Sequence, residues 1–268
     1  MYNFLIRPFV KRMDPEKASR VALGYFRLIG RIPGVRYIKR LTHTNKARGA
    51  QREVFGLKFY NPLGLGAGLD TLGDVYNDLN NMGFSFVEIG PMDAKGMRHA
   101  INNLQEDPQD DILAACINAD YQTAFTLGYD FCDFFVFDIH GTDVASVIDP
   151  LLDTRLTYDE YRPIVIKVQE TVTDEEIGDI VHYCLMNGVD AIDVRSRKQL
   201  DAAIRYSNGL LPVIVNAHIK SAKQAEDLLN AGASLLEIRS GVVYEGTNFV
   251  SRINRHLESL SRKSQVSN

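Results

Sequence analysis

A chain of 268 residues with 45% apolar and 24% charged side chains can bury a substantial core, and its length suits one α/β barrel. The cysteines Cys116, Cys132 and Cys184 are odd in number and show no CxxC spacing, which argues against a disulfide framework or a zinc ribbon and for a reducing compartment. The formal charge of −4 conceals two regimes: residues 1–58 hold 14 Lys and Arg against 3 Asp and Glu, so the remainder is strongly acidic, a division that suggests two modules.

Residues 1–41 read as short, basic, amphipathic helices. Tyr2, Leu5, Ile6, Phe9, Val10 and Met13 mark one apolar face beside Arg7, Lys11 and Arg12. Asp14-Pro15-Glu16 is a helix start, an N-cap followed by proline in the first turn. The helix it opens presents Ala18, Val21, Ala22, Tyr25, Leu28 and Ile29 and ends near Gly30 and Pro33. Residues 42–51 are polar and basic, and read as a linker.

From residue 52 onward, eight strand-like runs follow, at 62–65, 85–89, 112–117, 134–139, 163–168, 191–194, 212–215 and 234–238. Helical stretches separate most of them, among them 174–187, 197–207 and 221–231, with Gly188 and Gly232 where C-cap glycines belong. The pattern predicts a (β/α)8 TIM barrel over 52–268 behind a small N-terminal helical domain, with a doubly wound sheet as the second choice. Residues 91–111 are expected to form a loop or short helix instead of a full crossover. No run reaches transmembrane length and no secretory leader pattern opens the chain, so the expected location is cytoplasmic or another reducing compartment, soluble or peripheral at a membrane surface.

Four strand ends repeat one pattern, an acid or amide followed two residues later by a cation-capable side chain: Asp138 and His140, Asp193 and Arg195, Asn216 and His218, Glu237 and Arg239. Residues i and i+2 of a strand share a face, so adjacent strands would stack an acidic or amide layer beneath a cationic one. Barrel enzymes place their chemistry at these ends. With Lys167 added, Arg195, His218 and Arg239 form a candidate site for an anionic small molecule. The alternative is an ionic plug in which the acids and cations satisfy one another. No set of His, Cys, Asp and Glu has metal-ligand spacing, so no metal is expected. His43, His99, His182 and His256 are isolated, expected to be exposed or locally bonded.

Asn61-Pro62-Leu63-Gly64-Leu65-Gly66-Ala67-Gly68-Leu69-Asp70, together with Gly83-Phe84, Phe86-Val87-Glu88-Ile89-Gly90, the 163–168 run and Gly232 to Gly241, resembles the dihydroorotate dehydrogenase family, specifically its quinone-using, membrane-associated class. The basic N-terminal helices with Asp14-Pro15-Glu16 fit that class, whose first strand reads NPxGLAAGLDK. The resemblance implies an FMN cofactor held by Ala67, Gly68, Lys167, Ser240 and Gly241, a place in pyrimidine biosynthesis, and helices that contact a membrane surface. Against that pattern, Gly141 stands where the family has its catalytic serine, Arg195-Ser196 replaces a threonine–asparagine pair, and Ala217-His218 replaces a glycine pair. Arg239 replaces a tyrosine, Thr71 replaces a lysine, and the long segment between strands six and seven is reduced to one helix.

A missing base costs orders of magnitude in rate. The leading expectation is therefore a catalytically silent barrel protein, a pseudoenzyme without cofactor, acting through an anion site or as an interaction protein. The competing expectation is an FMN-dependent oxidoreductase in which His140 or His218 serves as acid or base on dihydroorotate or an altered substrate. The basic helices of 1–41 would contact an anionic membrane surface or an acidic protein partner; their scattered charges match no nucleic-acid motif.

Overall fold

A computed structural model describes residues 2, 6–30, 32, 50–80, 82–106, 111–141 and 143–266. Most of the expected linker, and with it His43, lies outside the described residues. Among the described residues, ten strands run as β1 (Arg52–Val54), β2 (Leu57–Phe59), β3 (Leu63–Leu65), β4 (Phe86–Met92), β5 (Ile112–Ile117), β6 (Phe134–Asp138), β7 (Ile164–Lys167), β8 (Ala191–Val194), β9 (Val213–Val215) and β10 (Leu235–Ile238). The described helices are α1 (Arg7–Val10), α2 (Pro15–Gly30), α3 (Tyr76–Asn80), α4 (Ala94–Glu106), α5 (Tyr121–Gly128), α6 (Val144–Arg155), α7 (Asp174–Asn187), α8 (Arg197–Ser207), α9 (Ala222–Asn230), α10 (Ser240–Glu245) and α11 (Thr247–Val266).

Strands β3 to β10 close a parallel barrel, each paired with its sequence neighbour and β10 returning to β3 through Leu236–Leu63 and Ile238–Leu65. The (β/α)8 expectation is borne out, and all eight runs became strands within two or three residues of their expected ends. Local caps explain much of this precision. Thr173 and Glu176 form a reciprocal capping box at the start of α7, and Ser196 and Ser221 cap α8 and α9 through their hydroxyls. Gly188 ends α7 in the left-handed region, φ 74°, where a side chain would be strained.

Two elements differ from expectation. Residues 91–111 contain a 13-residue helix, α4, in place of a loop or short helix. Its buried stripe of Ala94, Met97, Ala100 and Leu104 has helical spacing, but Gly96 and the Asn102-Asn103 pair mask it in the sequence. Gly96 is there for packing: a Cβ would come 2.8 Å from that of Met92. The second difference is the β1–β2 hairpin, whose turn passes through Phe55 and Gly56 at positive φ.

That hairpin floors the barrel. Phe59 packs edge-on against Phe86 and Phe134, with Phe55 beside them, and the lowest interior layer continues through Ala114, Val136, Val165, Ala191, Ile214 and Leu235. Gly64 belongs to this layer because the Phe86 ring lies where its Cβ would be, 2.0 Å away.

The N-terminal helices pack on the barrel's last βα unit. Tyr2, Val10, Ala18, Ala22 and Phe26 belong to the same buried cluster as the outer faces of the strands. Tyr2 stacks on Phe26 at 5.5 Å, and its hydroxyl donates to the Val243 carbonyl of α10. The expected apolar face divides: Tyr2 and Val10 are buried, whereas Phe9 and Met13 face outward, as does Leu28 of α2. All three cysteines are buried and free, as ordinary core thiols.

Phe59 gives the first prediction. Phe59→Ala should lower unfolding free energy by about 3–5 kcal/mol, because it empties an aromatic layer that cannot collapse inside a closed barrel. Urea denaturation monitored by tyrosine fluorescence measures it.

Candidate functional site at the barrel mouth

Above the aromatic floor the interior turns polar. Glu88 of β4, Lys167 of β7, Asp193 of β8 and Glu237 of β10 point inward at one level, the acids fully buried and Lys167 only 3% exposed. The Lys167 ammonium lies 2.8 Å from Asp193 Oδ2, 2.9 Å from Glu88 Oε1 and 3.6 Å from Glu237 Oε2. It donates hydrogen bonds to Glu88; its approach to Asp193 is an ion pair without hydrogen-bond alignment. The other Glu88 oxygen accepts the Ala67 backbone N–H at 3.0 Å, and Glu237 Oε2 accepts from Asn216 Nδ2 at 2.7 Å. The three acids each offer an oxygen within 4.8 Å of the other two, and the cation among them is the lysine.

Burial and mutual charge set the protonation of this group. Burial alone would depress Lys167, but the charges of Asp193, Glu237 and Glu88 hold it well above its ordinary value. Burial pushes Asp193 up to about 6 against the pull of Lys167. Glu237 is raised well above the usual carboxylate range by burial and by the Glu88 charge. Glu88 is also pushed up by burial, but Lys167 and the hydrogen bonds from Glu237, Lys167 and Ala67 outweigh that and leave it low.

Outside this level, Arg195 reaches Asp138 at 3.5 Å and donates to the Val168 carbonyl, and Gln169 donates to the other Asp138 oxygen. Gln199 braces the turn, accepting from Arg195 N–H and donating to the Gln169 carbonyl. His140, His218 and Arg239 are exposed. Ser240 and Gly241 open α10, where the Phe249 ring lies over Gly241, 2.3 Å from where a Cβ would be.

The expected acid-and-amide layer therefore exists for Asp193, Asn216 and Glu237, but its cation is Lys167 at the same level and not the residues two positions on. The set read as an anion site is divided: Lys167 is consumed in the interior, Arg195 is engaged by Asp138, and His218 and Arg239 remain at the surface. Among the candidates for cofactor contact, Ala67 uses its N–H on Glu88, and Gly68 donates its own to the Gly90 carbonyl at 2.7 Å. Gly68 adopts φ 98°, and the Arg239 guanidinium lies 2.6 Å from where its Cβ would stand.

Glu88 was not among the expected site residues. Its signal was a lone acid inside the apolar run Phe86-Val87-Glu88-Ile89, a position that only an interior partner can make tolerable. Gly66 gave no such signal. It stands where the family motif has its first alanine, and a Cβ there would lie 2.7 Å from Glu237 Oε2 and 3.1 Å from Asn216 Nδ2. The glycine makes room for the carboxyl. Of the isolated histidines, His99 lies near Asp74 at 3.5 Å, His256 bonds Glu226 at 2.8 Å, and His182 is exposed.

Removing Lys167 leaves three buried acids with no cation. Lys167→Met should cost about 3–5 kcal/mol of stability at pH 7. The loss should shrink toward pH 5 as the acids still ionised, Asp193 among them, take up protons; denaturant titrations at the two pH values check both magnitude and sign.

Known proteins resemble this chain over nearly its whole length. Dihydroorotate dehydrogenase (quinone) of Christiangramia forsetii is 27% identical, over 96% of this chain and 98% of that protein. The protein of the same name from Actinobacillus pleuropneumoniae is 23% identical, over 96% and 99%. The first alignment spans 336 positions, more than this chain's 268 residues, so the relative carries internal segments that this chain lacks. In structure, the ligand-free DHODH of Eimeria tenella superposes with a TM-score of 0.76 at 18% identity, covering 94% of this chain and 96% of that one. Its complex with ferulenol superposes with a TM-score of 0.73 at 16% identity. No protein-family model matches the chain. Over nearly its whole length, in barrel and N-terminal helices alike, the chain is thus similar to the quinone-type dihydroorotate dehydrogenases, as its first-strand motif implied.

Proposed function

We propose that this chain is a dihydroorotate dehydrogenase-like barrel whose mouth is closed by its own ion pairs and which does not carry out flavin-dependent oxidation. The observation that carries this reading is the Lys167 ammonium, held between three fully buried carboxylates. In the resemblance this lysine contacts the flavin; here its contacts are taken up by acids. A flavin ring resting on Ala67 and Gly68 would have to displace Arg239 and disturb Glu237, which Asn216 and Lys167 hold in place. Arg239 can swing away at little cost, but Glu237 cannot, since moving it would leave the Asn216 amide and the buried carboxyl group itself without hydrogen-bond partners. At the phosphate end, Phe249 covers Gly241, and Ala217-His218 stands in place of the glycine pair. These residues do not fit FMN in the place that the resemblance gives it.

Proton abstraction lacks a group as well. The position aligned with the family's base is Gly141, and the neighbouring His140 is exposed beyond the end of β6. In this reading the mouth retains a surface anion site at Arg239, which borders a cavity of about 310 Å³ shared with Arg20, Leu23, Leu69 and Thr71.

The full-length relatives named dihydroorotate dehydrogenase (quinone) favour a second reading. In it the protein is an FMN-dependent oxidoreductase in which Ala67, Gly68, Lys167, Ser240 and Gly241 hold the cofactor and His140 or His218 moves the proton. The visible spectrum separates the two. Purified protein should be colourless and should leave the absorbance of added FMN unchanged; a yellow protein with near-stoichiometric flavin overturns the proposal.

The N-terminal helices support contact with an anionic membrane surface. Phe9 and Leu28 are 61% and 66% exposed, and Lys11, Arg12 and Arg27 flank them. No described helix is long and apolar enough to cross a membrane. The full chain should float with vesicles containing phosphatidylserine, and Phe9→Glu combined with Leu28→Glu should release it. Flotation unchanged by the double substitution, or no flotation at all, removes this role and leaves an acidic protein as the partner to seek.

A further inference from the structure

The barrel interior holds more acid than base. Glu88, Asp193 and Glu237 surround Lys167 where none of the four is more than 3% exposed. Fully ionised, they would leave two negative charges uncompensated away from water, a state that buried groups avoid by taking up protons. Among the described residues, the groups that face this cluster supply no second cation within ion-pair distance of its acids. They are the Cys116 thiol from β5, Asp138 from β6, the Asn216 amide after β9 and the Ala67 N–H after β3; Arg195, after β8, is turned to Asp138.

Glu237 is the acid that the cation serves least. Each of the three acids has an oxygen within 4.8 Å of the other two, and the Lys167 ammonium lies 2.8 and 2.9 Å from Asp193 and Glu88 but 3.6 Å from Glu237, so a second unscreened charge on Glu237 would repel Glu88 away from water. Of the pair, Glu88 has both oxygens occupied, by Lys167 and by Ala67 N–H. Glu237 accepts from Asn216 on Oε2, while its buried Oε1 has no donor.

We propose that Glu237 is a carboxylic acid in the folded protein at neutral pH, so that the barrel interior is a binding site for one proton, taken up on folding and shared with Glu88. The opposite displacements of the two acids, Glu237 upward and Glu88 downward, agree with that assignment. The inference rests on the cluster's geometry and stands whether or not the mouth takes a flavin, so the FMN titration does not decide it.

The linkage has a definite sign. Because Glu237 is raised in the folded state, its contribution to stability is fully present below the ordinary glutamate value of about 4.3 and is lost as pH rises through its folded value. Between pH 5 and 8, the folded-to-unfolded ratio of the wild type should fall about tenfold per pH unit relative to Glu237→Gln, whose amide reproduces the neutral acid's shape and donor. Urea denaturation of the full-length proteins across that range measures it. Independently, the infrared spectrum of the wild type at pH 8 should contain the carbonyl stretch of a protonated carboxyl group, shifted in heavy water and absent from Glu237→Gln. Parallel stability profiles for the two proteins, or a wild-type spectrum without that band, overturn the proposal. Should Glu237→Gln fail to fold, the wild-type band at pH 8 decides alone: its presence supports the shared proton and its absence refutes it.

Discussion

One ammonium group organises the centre of this molecule. A closed eight-stranded barrel has no edge through which an interior charge could reach solvent sideways, and here the floor is sealed by Phe55, Phe59, Phe86 and Phe134. Any acid placed on an inward position must find its partner among the facing strands. Lys167 lies next to Asp193 through β7–β8 pairing and reaches across the interior to Glu88 and Glu237. Four strands are tied through one nitrogen. Such a cluster adds less stability than an apolar layer of the same volume would, so its presence needs a reason other than stability.

The geometry around the cluster is reciprocal. Glu88 holds the Ala67 N–H, which fixes the turn after β3; Gly66, one residue earlier, is small because Glu237 occupies the room beside it. Where relatives are expected to leave the turn after β3 open to a cofactor, the turn is used as a donor to the interior. A change at any one of these residues propagates to the others, since the groups share partners and their contributions are not additive.

The barrel was legible in the sequence because its signals are local. Apolar runs such as 134–138 and 191–194 are bounded by turn residues, and the caps at Thr173, Ser196 and Ser221 mark helix starts directly. Helix α4 was missed because Gly96 and two asparagines weaken its propensity, while tertiary burial of Met97 and Leu104 decides the outcome. The site was half legible. Residue type and i, i+2 spacing put Asp138, Asp193, Asn216 and Glu237 in one layer and Lys167 with the cations Arg195, His218 and Arg239, but spacing along single strands cannot say which strands meet. Arg195 was therefore grouped with Arg239, although it turns to Asp138, and Glu88 was overlooked although its place in an apolar run announced a buried acid.

The contact between Tyr2 and Val243 bears on how the chain reaches its fold. The first described residue docks on the helix that follows the last strand, and β3 cannot complete its pairing until β10 arrives. Both closures join residues far apart in sequence, a contact pattern that slows folding. During synthesis, Tyr2 cannot reach its Val243 partner until α10 has been made, so the aromatic, cationic helices that carry Tyr2 and Phe26 wait undocked while the intervening barrel is translated.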